Sequence, residues 1–286
     1  MVLSQPDRPR GRGRSRSAAP VAEVALREGL PLLRPERVAE PDVVDALRDA
    51  RVDLGVVVAF GQFLPRRIRE APALGYLING HASLLPRLRG AAPIARAILA
   101  GERVTGVSVM RVEREMDAGA VALTRQVEIG PDETAGALGE RLAALCADAI
   151  AAAVDRIAEG RIDWTPQDPA HATFAPKIER DDAHLDWNDS ADALANRVRA
   201  MAPVPGAFTT RGDEVLRILA ARAVTGPTDR PPGCVHCAPD AALLVATGEG
   251  WLLPLRVQRA GGRVLDIEDY LRGRPISDGA QLGEAR

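Results

Sequence analysis

Apolar positions recur along this chain in patterns that change partway along it. Across residues 21–129, helical and strand-like stretches alternate, as in a mainly parallel sheet covered by helices. Residues 21–28 and 42–49 read as helices. "DLGVVVAF" (residues 53–60) is a continuous β-branched run, which predicts a strand buried on both faces inside the sheet. "GYLING" (75–80) reads as a second short strand, and "AAPIARAILAG" (91–101) as a helix with proline early and glycine after its end. "GVSVMRVE" (106–113) and "VALTRQVEI" (121–129) read as two further strands. Asp132 and Thr134 are placed to cap a long alanine-rich helix running towards Gly160.

The periodicity lapses in "IDWTPQDPAHATFAPKIER" (162–180), where three prolines argue for an extended linker. Beyond it, Ser190 opens an amphipathic helix, "SADALANRVRAM" (190–201), which "APVPGAF" breaks. Short apolar runs follow, "EVLRILAARAV" (214–224), "GCVHC" (233–237), "AALLVAT" (241–247) and "WLLPLRVQ" (251–258), separated by turn residues. That spacing predicts a small barrel or sandwich. The expected organisation is an α/β domain over residues 1–163, a linker over 164–181 and a β domain over 182–286.

Composition narrows the function classes. At 286 residues, 46% hydrophobic and 27% charged, the chain can bury a sizeable core. A net charge of −2 means that any nucleic-acid contact must come from a local patch. No apolar run reaches the roughly 18 residues of a membrane span, and the basic start lacks a following signal-type segment. With three cysteines, too few and odd in number for a disulfide framework, a cytoplasmic location is expected. Cys234 and Cys237 flank His236 in a C-x-x-C, but no second ligand pair follows, so no metal is expected. Cys146 sits in an alanine-rich helix and reads as core.

The sharpest candidate chemistry lies in "NGHASLLPRLRGAAPI" (79–94), directly after a predicted strand, where open α/β sheets place their ligand sites. Asn79 and His81 are two apart, so an extended backbone directs both to one face. An amide that donates to a developing oxyanion, beside an imidazole that handles a proton, suits acyl transfer. A histidine merely packed at a strand end fits the spacing as well. Asp117, on the turn in "GVSVMRVEREMDAGAV" (106–121), could orient the imidazole, or serve as an ordinary turn aspartate. Near the start, Arg8, Arg10, Arg12, Arg14 and Arg16 fall at every second position. In an extended loop they would share one face suited to phosphates and guanine edges; a solvated tail has the same composition.

These segments resemble the folate-dependent formyltransferase superfamily. The strand-Asn-x-His-x-Ser-Leu-Leu-Pro segment and the Met-Asp-x-Gly turn carry the resemblance, which implies that Asn79, His81 and Asp117 are a catalytic trio. It further implies a folate site lined by Ser83, Leu84, Leu85 and Pro86, and by Phe60 and Gly61 of "AFGQFLP". "QPDRPRGRGRSR", "RLRGAAPIARAI", "FAPKIERDDAHLDW" and "PPGCV" are similar to the methionyl-tRNA branch, and the second domain sets the chain apart from purine-pathway relatives. The resemblance therefore implies a monomeric enzyme that passes the formyl group of 10-formyltetrahydrofolate, a consumed co-substrate, to the α-amine of initiator methionyl-tRNA. The arginine loop, Arg12 above all, and an OB-like C-terminal β-barrel would hold the tRNA. A formyltransferase acting on another amine, or an inactive truncated tRNA-binding homologue, are the alternatives.

The chain also departs from that pattern. The family opens with a strand, a Gly-Thr-Pro-x-Phe loop and a helix, whereas "MVLSQPDRP" resembles the family's second strand. The expected fold is thus a doubly wound, mainly parallel sheet without its first strand and helix, leaving neighbouring strands unpaired. Gly80 stands where a branched apolar residue is usual, Glu115 where glycine is usual, and Val204 where tryptophan is usual. Glu115, two residues before Asp117, is expected to crowd or polarise the folate site.

Overall fold

The computed structural model describes residues 1–10, 15–237 and 243–283, which form parts of two compact units. One comprises Met1–His81, Ser108–Thr124 and Cys146–Ala170; the other comprises Ala82–Val107, Arg125–Leu145 and His171–Arg286. Among the described residues no helix is long and apolar enough to cross a membrane.

In the first unit, β1 (Val2–Leu3) runs parallel to β4 (Leu32–Leu33), and the chain between them carries α1 (Pro20–Arg27). Ahead of α1, β2 (Arg8–Arg10) and β3 (Ser15–Ser17) pair as an antiparallel hairpin. Then come α2 (Pro41–Asp49), β5 (Gly55–Val57), α3 (Arg66–Arg69) and β6 (Leu77–His81). Proline opens both α1 and α2, where its fixed φ suits the first turn and its missing N–H costs nothing. β5 pairs parallel with β6, and β6 pairs antiparallel with Ser108–Arg111 of β7 (Val104–Arg111), which neighbours β8 (Val121–Glu128); residues 104–107 and 125–128 of these strands are counted in the second unit. Val38, Val43, Val44, Ile68 and Leu77 form a core against which Leu3, Val57 and Phe60 pack.

The run at 53–60 departs from expectation. Only three of its residues are strand, and β5 stands at the edge of its four-stranded sheet, with Val56 48% and Val58 54% exposed. The reason is pairing: β6 lies on one side, and no described strand occupies the other. The β1–β4 pair forms its own two-stranded sheet.

In the second unit, α4 (Pro93–Leu99) contacts α6 (Ala191–Met201). Arg96 of α4 makes a two-pronged pair with Asp182 at 2.7 and 2.8 Å, which with a backbone N–H bond holds the Asp182 carboxyl below its ordinary range. The Ser190 side chain accepts from Ala193 N and caps α6, which buries Leu194, Val198 and Met201 and packs on β10 (Glu214–Val224). β9 (Ala207–Arg211) joins β10 through a Gly212–Asp213 turn, with Gly212 at φ +58°, the left-handed backbone that a two-residue hairpin turn favours. β11 (Val235–His236), β12 (Leu244–Ala246) and β13 (Trp251–Arg259) complete the antiparallel order β11-β12-β13-β10-β9. β14 (Leu265–Asp266) lies on β13 and leads into α7 (Ile267–Gly273).

No pairing among the described strands closes this sheet into the expected barrel. Irregular chain covers its edges instead: Leu282 N bonds to Gly233 O, Val235 N to Ala280 O, and Gly283 N to Thr210 O on β9. The residues near the chain end thus reach both margins of the sheet without forming a strand. One long helix, α5 (Ala135–Ala158), counted up to Leu145 in the second unit and from Cys146 in the first, begins where Thr134 Oγ1 accepts from Ala137 N and buries Leu138, Leu142, Cys146, Ala149 and Ala153 along one stripe.

Candidate active site

The candidate site is at the carboxyl end of β6. Asn79 pairs with Met110 and His81 with Ser108 across the antiparallel partner, so the two share a face as their spacing demands. His81 is 7% exposed, and its Nδ1 faces Asp117 Oδ2 at 3.5 Å. The Asn79 side chain has no hydrogen-bond partner among the described residues, which leaves both amide N–H groups available to an incoming acceptor.

Gly80, between them, has a steric cause. A Cβ there would lie 2.3 Å from Cys146 Sγ and 2.8 Å from Ile150 Cδ1, so α5 side chains fill the space a branched residue would take. Cys146 is buried, and burial pushes its thiol pKa up, as suits a core thiol and not a nucleophile.

Asp117 sits on the turn between β7 and β8 at φ +53°, in the left-handed region that costs a non-glycine residue energy. Gly119 is needed on the same turn, because a Cβ would lie 1.9 Å from Arg111 O. Nothing in the sequence marks Gln167 as a site residue, yet its amide nitrogen donates to Asp117 O at 2.8 Å and to Gly119 O at 2.7 Å. Two backbone bonds of 2.9 Å between Thr165 and Val121 carry Gln167 to that position. Trp164 meets Tyr76 edge-on, and the Arg111 guanidinium lies 4.3 Å from the Tyr76 ring and 4.6 Å from that of Trp164. Glu115, expected to crowd the site, is exposed.

The other candidates fall in several places. Phe60 and Gly61 follow β5; Phe60 O accepts from Gln5 Nε2 at 2.7 Å and Gly61 takes φ +78°. Ser83, Leu84, Leu85 and Pro86 belong to the second unit, where Ser83 is fully buried with Oγ donating to Arg87 O at 2.6 Å. The basic loop is a hairpin, which corrects the shared face expected of it. Arg16 stands opposite Pro9, and Arg8 opposite Ser17, so Arg8 and Arg16 lie on opposite faces. Both are exposed, and Arg16 bonds to Asp7 O. Arg10 lies on β2, while Arg12 and Arg14 lie outside the described residues. In the C-x-x-C, Cys234 is buried and Cys237 exposed, both as free thiols.

The formyl transferase family matches residues 1–154, and the formyl transferase C-terminal domain matches residues 177–275. The methionyl-tRNA formyltransferase of Halorhodospira halophila is 44% identical over 278 residues, covering 97% of this chain and 89% of that relative. The methionyl-tRNA formyltransferase of Roseiflexus castenholzii is 44% identical over 283 residues, covering 99% and 90%. Among solved structures, HypX from Aquifex aeolicus in complex with tetrahydrofolic acid superposes with a TM-score of 0.62 at 18% identity, over 92% of this chain and 45% of that one. WlaRD, a sugar 3N-formyl transferase, does so with a TM-score of 0.61 at 13% identity, over 87% and 83%. The two structural likenesses speak for the fold. With a strand-end Asn and His, a turn Asp beside the imidazole and sequence identity along nearly the whole chain, the protein belongs to the formyl transferase family, among the methionyl-tRNA formyltransferases.

Proposed function

We propose that this chain transfers the formyl group of 10-formyltetrahydrofolate to the α-amino group of methionyl-initiator tRNA, the step that prepares it for translation initiation. The observation that carries the reading is the buried His81 imidazole held at Asp117, two residues from an Asn79 amide with no partner of its own among the described residues. In this reading the neutral amine attacks the formyl carbon and negative charge grows on the formyl oxygen. Asn79 donates to that oxygen, an interaction strongest in the tetrahedral state. Asp117 faces Nδ1 and fixes the tautomer, so Nε2 is the nitrogen that takes the amine's proton; once protonated it donates to the oxyanion and passes the proton to N10 of the folate as the formyl carbon–N10 bond breaks, leaving tetrahydrofolate and the formylated amine. A separation of 3.5 Å is long for a hydrogen bond and fits a contact that tightens once substrate is bound.

Ser83, Leu84, Leu85 and Pro86, with Phe60 and Gly61, are proposed to line the folate site. Arg8, Arg10, Arg12, Arg14 and Arg16 are proposed to meet tRNA, assisted by the antiparallel sheet domain. We assign catalysis to residues 1–163 and tRNA holding to residues 182–286, joined by 164–181, in a monomer acting in the cytoplasm. Formyl transfer from labelled 10-formyltetrahydrofolate to charged initiator tRNA tests the reading. Transfer that occurs only to a free amino sugar nucleotide, or not at all from a folded protein, would end it.

A further inference from the structure

Asp117 is useful to His81 while its turn holds a left-handed conformation, which costs a non-glycine residue energy even though aspartate tolerates it better than most. Its φ of +53° lies in the left-handed region, and its carboxylate reaches Nδ1 at 3.5 Å from that backbone position. The amide group of Gln167 spans the turn, donating one hydrogen to Asp117 O at 2.8 Å and the other to Gly119 O at 2.7 Å. Both donors of one NH2 are thereby used on carbonyls two residues apart, which an isolated turn has no internal group to satisfy in this way. Gln167 is itself braced: Thr165 and Val121 exchange two backbone bonds, and Trp164 is packed at Tyr76 and Arg111.

We infer that Gln167 is a positioning residue that clamps the Asp117 turn and so keeps the carboxylate aimed at His81. It acts through Asp117 and touches no reacting atom. The inference rests on the proposed role of Asp117 and extends it to a residue fifty positions away. Without the clamp the turn can relax towards negative φ, and a displacement of about an ångström at a reacting group costs up to roughly a hundredfold in rate.

The test is a double-mutant cycle on the full chain, with 10-formyltetrahydrofolate and charged initiator tRNA as substrates. Gln167→Ala is expected to lower kcat by about tenfold to a hundredfold, with KM for both substrates within about twofold. Gln167→Glu keeps the shape but sets carboxylate oxygens against two carbonyl oxygens; it should lose as much, and it carries the test should Gln167→Ala fail to fold. In an Asp117→Asn background, where asparagine tolerates the left-handed backbone, Gln167→Ala should cause no further loss, because its effect runs through the missing carboxylate. Losses that multiply in the double variant, or a Gln167→Ala enzyme within twofold of the parent while Asp117→Asn is impaired, would overturn the clamp alone. A fully active Asp117→Asn enzyme would overturn the role of Asp117 and the clamp with it.

Discussion

At the scale of single residues, the proposed chemistry needs one side chain with a spare donor and one without freedom. Asn79 supplies the first and the buried His81, held by Asp117, the second. His81→Ala and Asn79→Ala are each expected to lower turnover by about a hundredfold or more, the usual loss when an oxyanion donor is removed, while thermal unfolding stays near that of the parent. Turnover within severalfold of the parent, in a variant shown to fold, would remove the residue from the mechanism. Gly80 tests the geometry under them. Gly80→Val drives a side chain into Cys146 and Ile150 and should destabilise the chain by about 1–3 kcal/mol, in the range of overpacked cores. Adding Cys146→Ala should recover part of that loss in a denaturant titration, and purely additive losses would contradict a direct clash between Gly80 and α5. The shared face of Asn79 and His81 and the turn at Asp117 are legible in the sequence because a strand's period of two and a glycine-flanked turn are local signals, while their joint catalytic role is what the family resemblance implies. Gln167 is not, because its partners are backbone carbonyls brought to it by tertiary pairing, and nothing near it in sequence announces them.

At the scale of elements, local chemistry writes the helices clearly. Pro20, Pro41 and Pro93 open three of them and the Ser190 side chain caps a fourth. Ser190→Ala should cost about 0.5–2 kcal/mol, read as a lowered denaturant midpoint with unchanged slope; an unchanged midpoint would mean the cap contributes nothing. The hairpin of β2 and β3 reads in sequence as an extended loop, since its three-residue strands exist only by pairing with each other. The same dependence on partners explains β5, whose apolar run suggests an interior strand while its pairing makes it an edge. It also explains the sheet of the second unit, where irregular chain takes the place of barrel closure. For the hairpin arginines, tRNA affinity should fall steeply as salt rises, and Arg8→Ala or Arg16→Ala should weaken tRNA use while leaving folate use alone and reduce the salt slope. Equal effects on both substrates would argue against a tRNA contact.

At the scale of the whole molecule, two paired carboxylates should add an acid limb to the stability profile. The Asp278 carboxylate accepts from both Nη atoms of Arg230 at 2.9 and 3.0 Å and from Cys237 N, which lowers its pKa to about 2. Asp182 is lowered by its bonds to Arg96. A carboxylate with a folded pKa below its unfolded value of about 3.9 contributes its stability above that value. For Asp278 the contribution should therefore be complete above about pH 4 and be lost as pH falls towards 2, and Asp278→Asn should flatten that limb in a stability–pH profile. An unaltered limb would assign the acid sensitivity elsewhere. The reaction itself is measured by multiple-turnover transfer of labelled formyl from 10-formyltetrahydrofolate to charged initiator tRNA, run with the parent chain and with His81→Ala. Transfer to the methionyl amine is expected from the parent, with a loss of about a hundredfold or more in the variant; absent transfer by a folded parent, or equal transfer by both, would rule out the proposed chemistry at His81.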